Sequence, residues 1–254
     1  MSVFGKLAKY YDLVHENKNY EQESSYVHGL IQKHNPEAQT ILDIGCGTGN
    51  YAFAMQTLGY EVTGVDASSE MIEIAKTKLK EKNGKTSDIS FCCERMEHYE
   101  NQVKSDAVIC LFFSLCYQTT EKLIRQSLLG FKEQLNENGI LIFDFWHKQG
   151  VLRQKPELKI QRYRAESYQI TKLVEPKMDT SSDCVEIDYT FYVENDKGGI
   201  SKFKEFHKVR YLEPELLVKY LREMNFKVEL IEGWMTHQKL KENEWSGVIL
   251  ARPD

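Results

Sequence analysis

The stretch Ile41-Leu42-Asp43-Ile44-Gly45-Cys46-Gly47-Thr48-Gly49-Asn50 joins a carboxylate to glycines at alternate positions, after an apolar run and before a helical pattern. Glycines so spaced let the backbone turn sharply and approach a ligand at the carboxyl edge of a sheet. The spacing predicts a nucleotide-binding loop. The dinucleotide pattern Gly-x-Gly-x-x-Gly is not met, because Asn50 occupies its last position, and this disfavours a pyrophosphate cradled on the helix N-terminus. Asp43 points the same way, since a carboxylate suits an ammonium group and repels a phosphate. Seventeen residues after Gly49, Asp66 closes a second strand-like run, Glu61–Asp66. A carboxylate at that strand's carboxyl edge can accept both hydroxyl protons of a ribose. The ligand so described has an adenosine-like ribose and a cationic amino-acid tail. A second cluster lies in Glu205-Phe206-His207-Lys208-Val209-Arg210-Tyr211-Leu212. In a strand, Glu205, His207, Val209 and Tyr211 share one face, and Phe206, Lys208 and Arg210 the other. The first face sets a carboxylate beside an imidazole, the commonest general base near neutral pH, with an unperturbed pKa of about 6.5. A solvated face with His207 idle is the competing reading.

These groups need a scaffold. From Thr40 to Trp146 short β-branched runs alternate with helical patterns, which is the grammar of a parallel sheet with crossover helices. A helix follows Gly49, another spans Ser69–Glu81, a third spans Glu121–Leu135, and Asn138-Gly139 makes the turn into the fifth strand. After Trp146 three strand-like runs follow one another without a helix, and Asn195–Gly199 reads as a hairpin loop. This predicts an inserted antiparallel sheet. Helical spacing returns over Pro214–Met224, and two final strands joined by a loop should pair antiparallel. The first 35 or so residues read as helices that cap the sheet.

The fold class is therefore α/β, a Rossmann-like sheet with a reversed C-terminal strand plus an inserted antiparallel β lobe. Residues 1–146 and 213–254 form the core with its N-terminal cap, and 147–212 the lobe.

Asp43–Asn50 together with Asp66 resembles motif I and the acidic loop of the class I S-adenosylmethionine-dependent methyltransferases, over about residues 38–146 and 213–252. The resemblance implies S-adenosylmethionine as cofactor and S-adenosylhomocysteine as product. It assigns cofactor contacts to Asp43, Gly45, Cys46, Gly47, Asp66, Ala67 and Met71. It adds Leu111, with Phe112 beside it, and places Arg95 where the family often has an acidic residue at the adenine amino group. Either Glu94 takes that role or the backbone of Arg95 and Met96 reads the adenine edge. Further stretches, Tyr10–Glu23, Phe112–Gln118, Phe143–Trp146 and Glu205-x-His207-x-x-Arg210, resemble small-molecule N-methyltransferases acting on nucleotide-linked amino sugars. That narrower resemblance implies an amine acceptor, with Tyr11, Tyr117 and His207 as catalytic residues near the methyl group. The tyrosines are expected to orient the amine, because an unperturbed phenol near pKa ~10 is seldom ionised at neutral pH. Another small acceptor, such as an amino acid, carboxylate or phenol, and a non-catalytic cofactor-binding protein are the alternatives.

Composition bounds the partners. The formal net charge is -5, with 33 basic and 38 acidic side chains intermixed, so no basic stripe invites nucleic acid. No apolar run has the length of a signal peptide or a membrane span, and a soluble, cytoplasmic protein is expected. Seven histidines lack metal-ligand spacing, and six cysteines lack Cys-x-x-Cys pairs. No metal is expected, and free buried thiols are. A homodimer remains compatible with these features.

Overall fold

The computed structural model describes residues 4–82 and 88–254. A 3-10 turn at Ala8–Tyr10 leads into helix α1 (Tyr11–Val14), followed by α2 (Tyr20–His34), which Asn19 caps by accepting from the Gln22 N–H. Next come β1 (Thr40–Ile44), α3 (Asn50–Thr57), β2 (Glu61–Asp66), α4 (Ser69–Glu81), β3 (Ile89–Cys93) and β4 (Ser105–Cys110). A second 3-10 turn, Ser114–Tyr117, precedes α5 (Glu121–Glu133) and β5 (Leu135–Trp146). Ser68 and Thr120 cap α4 and α5 through their hydroxyls, which accept from Met71 and Leu123. The chain then forms α6 (Lys148–Arg153), β6 (Lys159–Arg164), β7 (Tyr168–Asp179), β8 (Cys184–Asn195) and β9 (Ile200–Arg210). It closes with α7 (Pro214–Glu223), β10 (Phe226–Gly233) and β11 (Ser246–Pro253).

The main sheet has the order β10-β11-β5-β4-β1-β2-β3. β1 to β5 run parallel, while β11 is antiparallel to both β5 and β10. The reversed strand is thus β11. Its parallel strands are buried on both faces, so adjacent residues serve different cores: Leu42, Val108 and Leu141 join one, Ile41, Ile109 and Ile140 the other. The second sheet, β6-β7-β8-β9, is antiparallel throughout. Val185, Ile187 and Val209 of this sheet enter the first core, and Ile170, Phe191 and Val193 pack with Leu7 and Val14 of the N-terminal segment.

Several details depart from expectation. β6 and α6 carry no apolar periodicity; β6 is an edge strand with one buried residue, Tyr163, which is why its sequence reads as loop. Asn138-Gly139 does not turn into a new strand. β5 already starts at Leu135, and a register shift between its pairings to Ser105 and Ala107 absorbs the irregular residues. Not every thiol is buried: Cys92 and Cys93 are exposed, because β3 lies at the sheet edge. Among the described residues no helix is long and apolar enough to cross a membrane.

Candidate active site

β1 stands between β2 and β4, where the strand order reverses, and the carboxyl ends of these strands open a crevice at that point. The glycine loop fills it. Gly45, Gly47 and Gly49 all have positive φ, of 75°, 54° and 83°, which L side chains seldom adopt. Space is equally restrictive: a Cβ on Gly45 would collide with the Ser114 side chain, and one on Gly49 would come within 2.7 Å of the Phe91 ring. The loop is tied to β2 by the Val65 carbonyl, which accepts from the N–H groups of Gly45 and Cys46 at 2.7 and 3.1 Å. Cys46 itself is buried in the core under the loop.

Asp66 sits at the end of β2. Its carboxylate accepts from the Gly47 N–H at 2.9 Å and the Ser68 N–H at 2.8 Å. Burial pushes its pKa up in spite of these bonds. Asp43 is only 1% exposed, and its Oδ2 has no hydrogen-bond partner. Burial, and then the charge of Asp66, push its carboxyl up to about 8. A buried carboxyl oxygen without a partner is costly unless a ligand satisfies it. The α-ammonium of S-adenosylmethionine is such a group, and the glycine cradle and Asp66 suit its ribose. The residues present therefore fit this cofactor.

Ala67 follows Asp66 and is exposed; Met71 is buried in the first turn of α4, its N–H on the Ser68 cap. Leu111 is buried just beyond β4. Past β3, Glu94 accepts from the Arg95 N–H at 2.8 Å, and the Arg95 guanidinium binds Glu97. The backbone donor of Arg95 is thereby occupied, and Met96 is half-buried against the core.

Beside the glycine loop three distant segments meet. The Tyr117 hydroxyl lies 2.8 Å from His207 Nδ1. His207 Nε2 is buried without a hydrogen-bond partner, 3.7 Å from a Glu205 carboxylate oxygen. The Phe4 ring packs on Tyr11, Tyr117 and His207, with centroids 5.9, 5.6 and 4.7 Å away. A Cβ on Gly47 would lie 4.0 Å from the Tyr11 ring, so this aromatic cluster adjoins the glycine loop. Burial, above all, pushes the phenols of Tyr11 and Tyr117 well above their ordinary pKa and keeps them neutral. Burial also acts to raise Glu205, but the nearby His207 imidazole and hydrogen bonds from the Leu7 and Phe4 N–H groups outweigh it and hold this carboxylate below its usual range.

Three contributors were given no role by the sequence. Asp144 on β5 accepts from the N–H groups of Phe112 and Phe113, which both adopt left-handed backbone. Asp12 of α1 accepts from Thr48 and Asn50 of the loop and pairs with Lys78. Phe4 lies in a stretch with no helical pattern. Only the fold brings each of them to the crevice.

Comparison with known proteins accords with this geometry. Residues 41–139 match a family model described as a methyltransferase domain. A protein of Geobacillus sp. (strain WCH70), named as a methyltransferase, is 27% identical over 98% of this chain and 99% of its own. The chain is a methyltransferase with the fold of the class I S-adenosylmethionine-dependent enzymes. It is 26% identical to a dTDP-3-amino-3,6-dideoxy-alpha-D-glucopyranose N,N-dimethyltransferase of Streptomyces fradiae, across 56% of this chain and 54% of that one. In fold, this methyltransferase is similar to an S-adenosylmethionine-dependent methyltransferase from Clostridium acetobutylicum ATCC 824, with a TM-score of 0.83, 21% identity and 98% of each chain covered. Streptomyces venezuelae DesVI superposes with a TM-score of 0.80 at 20% identity over 97% of this chain and 98% of that one.

Proposed function

We propose that this enzyme methylates the amino group of a small molecule, in the class of nucleotide-linked amino sugars, at the cluster of Tyr11, Tyr117 and His207. The observation that carries the reading is the contact of Tyr117 Oη with His207 Nδ1 at 2.8 Å, beside the glycine loop. The amino-sugar N,N-dimethyltransferase of Streptomyces fradiae supports the acceptor class. S-adenosylmethionine, when bound, supplies an electrophilic methyl group on a sulfonium. Asp43 and Asp66 hold its ammonium and ribose, Gly45 and Gly47 admit it to the sheet edge, and Leu111, Met71 and Met96 surround its apolar parts, with Cys46 and Ala67 shaping the loop ends. Residues 147–212 act as the acceptor-binding lobe.

An amine that gains a methyl group must shed a proton. Glu205, 3.7 Å from Nε2, favours the His207 tautomer with its hydrogen there, which leaves Nδ1 to accept from the Tyr117 hydroxyl. Tyr117 can then take the amine proton while passing its own to Nδ1, and Glu205 stabilises the resulting imidazolium. This route needs no ionised phenol. Tyr11 orients the amine.

Turnover with an amino-sugar nucleotide panel tests the reading. His207→Ala and Tyr117→Phe should each lower kcat by about a hundred- to ten-thousandfold with the affinity for S-adenosylhomocysteine unchanged. Tyr11→Phe should cost only about 0.5–1.5 kcal/mol. A rising limb of the pH–rate profile that persists in His207→Ala would exclude His207 as the proton acceptor.

A further inference from the structure

The inner face of the lobe carries a charge that the fold leaves unanswered. Lys172 on β7 is 8% exposed, yet among the described residues no acidic side chain lies within ion-pair distance of its ammonium. Its contacts are aromatic: Nζ sits 4.6 Å from the centroid of Tyr189 and 6.0 Å from that of Phe191. A ring face attracts a cation but accepts none of its three N–H groups as an oxygen would, and an unpaired buried charge is expensive. Burial accordingly lowers its pKa to about 8.

The surroundings repeat the sign. Opposite Lys172 on β6 is Gln161, which lines a cavity of about 450 Å³ with His15, Asn17, Lys18, Phe112 and Arg162. Lys18 is paired with Glu23, whereas Arg162 has no acidic partner among the described residues. Burial, followed by the charges of Lys172 and Lys18, drops His15 to about 4, so its imidazole is neutral. The amides of Asn17 and Gln161 add donors. This cavity adjoins the reactive cluster: Tyr189 stacks edge-on against His207 at 4.8 Å, and His15 lies 4.3 Å from the Tyr11 ring.

Resting on the amine-methylation reading, we propose that Lys172 pairs with an anionic group of the acceptor, a phosphate or a carboxylate, that lies beside this cavity, one ring beyond His207. The arrangement serves the chemistry by position. An anion at Lys172 fixes the acceptor at a point remote from its amine, and such binding can be used to position the nucleophile. The buried, largely apolar surroundings of Tyr189 and Phe191 make the charge pair at Lys172 a fixed anchor from which the amine is presented to His207 and Tyr117.

Isothermal titration tests the assignment with inorganic pyrophosphate and malonate as probes, added to protein saturated with S-adenosylhomocysteine. The parent should bind one of them at least ten times more tightly than Lys172→Met, with an unchanged dissociation constant for S-adenosylhomocysteine. Preference for pyrophosphate marks a phosphate-bearing acceptor, and preference for malonate a carboxylate-bearing one. If the parent binds neither, or the variant binds equally well, the assignment fails. Thermal melting supplies a second readout. Removing an unpaired buried cation should raise Tm, and a fall would make Lys172 a structural part of the Tyr189 stack and overturn the proposal. Failure of the parent to bind S-adenosylhomocysteine would contradict the methyl-transfer reading instead, and the probes titrated in its absence would still decide Lys172.

Discussion

In the proposed function, Asp43 is the residue at which folding and cofactor binding oppose each other. A carboxyl near 4 in the unfolded chain and about 8 in the folded one binds its proton more tightly when folded. Its contribution to stability is therefore full below about pH 4 and is lost as the pH rises to about 8. The sign reverses for ligand binding, because the cofactor's ammonium favours the ionised carboxylate and must displace the proton. Affinity for S-adenosylhomocysteine should thus rise between pH 6 and 8, with uptake of the released proton by the buffer. Calorimetry in two buffers of different ionisation enthalpy reads that proton directly. Asp43→Asn should weaken binding at pH 8 by about ten- to a hundredfold, the worth of a hydrogen bond to a charged group of roughly 1.5–3 kcal/mol, and should abolish the buffer dependence. An equal proton release in the Asp43→Asn variant would move the titrating group elsewhere, with Asp66 the next candidate.

At the scale of elements, the connection after β4 shows how strain is held at a site. Phe112 and Phe113 have φ of 57° and 62°, conformations that cost about 1–3 kcal/mol each. The Asp144 carboxylate offsets that cost by accepting both N–H groups, at 3.0 and 2.7 Å. Asp144→Asn keeps the shape but leaves one oxygen for two donors. It should destabilise the fold by about 1.5–3 kcal/mol, measured as a lower urea midpoint with an unchanged slope, and should raise the acceptor KM through movement of Phe112 and Tyr117. An unchanged midpoint would mean that packing alone holds the turn. None of this is legible in the sequence, because the clamp depends on β5 lying beside β4 and not on any local spacing. The strands themselves were legible: Thr40–Ile44, Glu61–Asp66 and Gly139–Trp146 carry the apolar runs that two-sided burial demands. β6 was not, since an edge strand with a single buried side chain has no pattern to read. The same division holds within the site. Gly45, Gly47 and Asp66 announce themselves by spacing, whereas Lys172 is one lysine among many until β7 turns it toward Tyr189.

Across the whole molecule, the N-terminal segment touches both the glycine loop and the lobe, as does the Ser114–Tyr117 turn through Gly45 and His207. Asp12 accepts from Thr48 Oγ1 at 2.7 Å and Asn50 Nδ2 at 2.9 Å and pairs with Lys78 at 2.6 Å, which pins α1 to the loop. A few residues earlier, the N–H groups of Phe4 and Leu7 both donate to Glu205 of β9. Ordering of the loop by the cofactor is therefore expected to reach the Glu205–His207 strand along this segment, and exchange measurements test it. Asp12→Ala removes two hydrogen bonds of about 0.5–1.5 kcal/mol each and a partly exposed ion pair of at most about 1 kcal/mol, so it should cost about 1–4 kcal/mol in all. Hydrogen exchange distinguishes a lost link from a general loosening. In the parent, S-adenosylhomocysteine should slow exchange over residues 47–50 and 4–14 together. In Asp12→Ala the protection of 47–50 should persist while that of 4–14 falls away. Protection of both segments in the variant would show that the loop and the lobe communicate by another route, such as the Tyr11 ring beside Gly47 or the Ser114–Tyr117 turn.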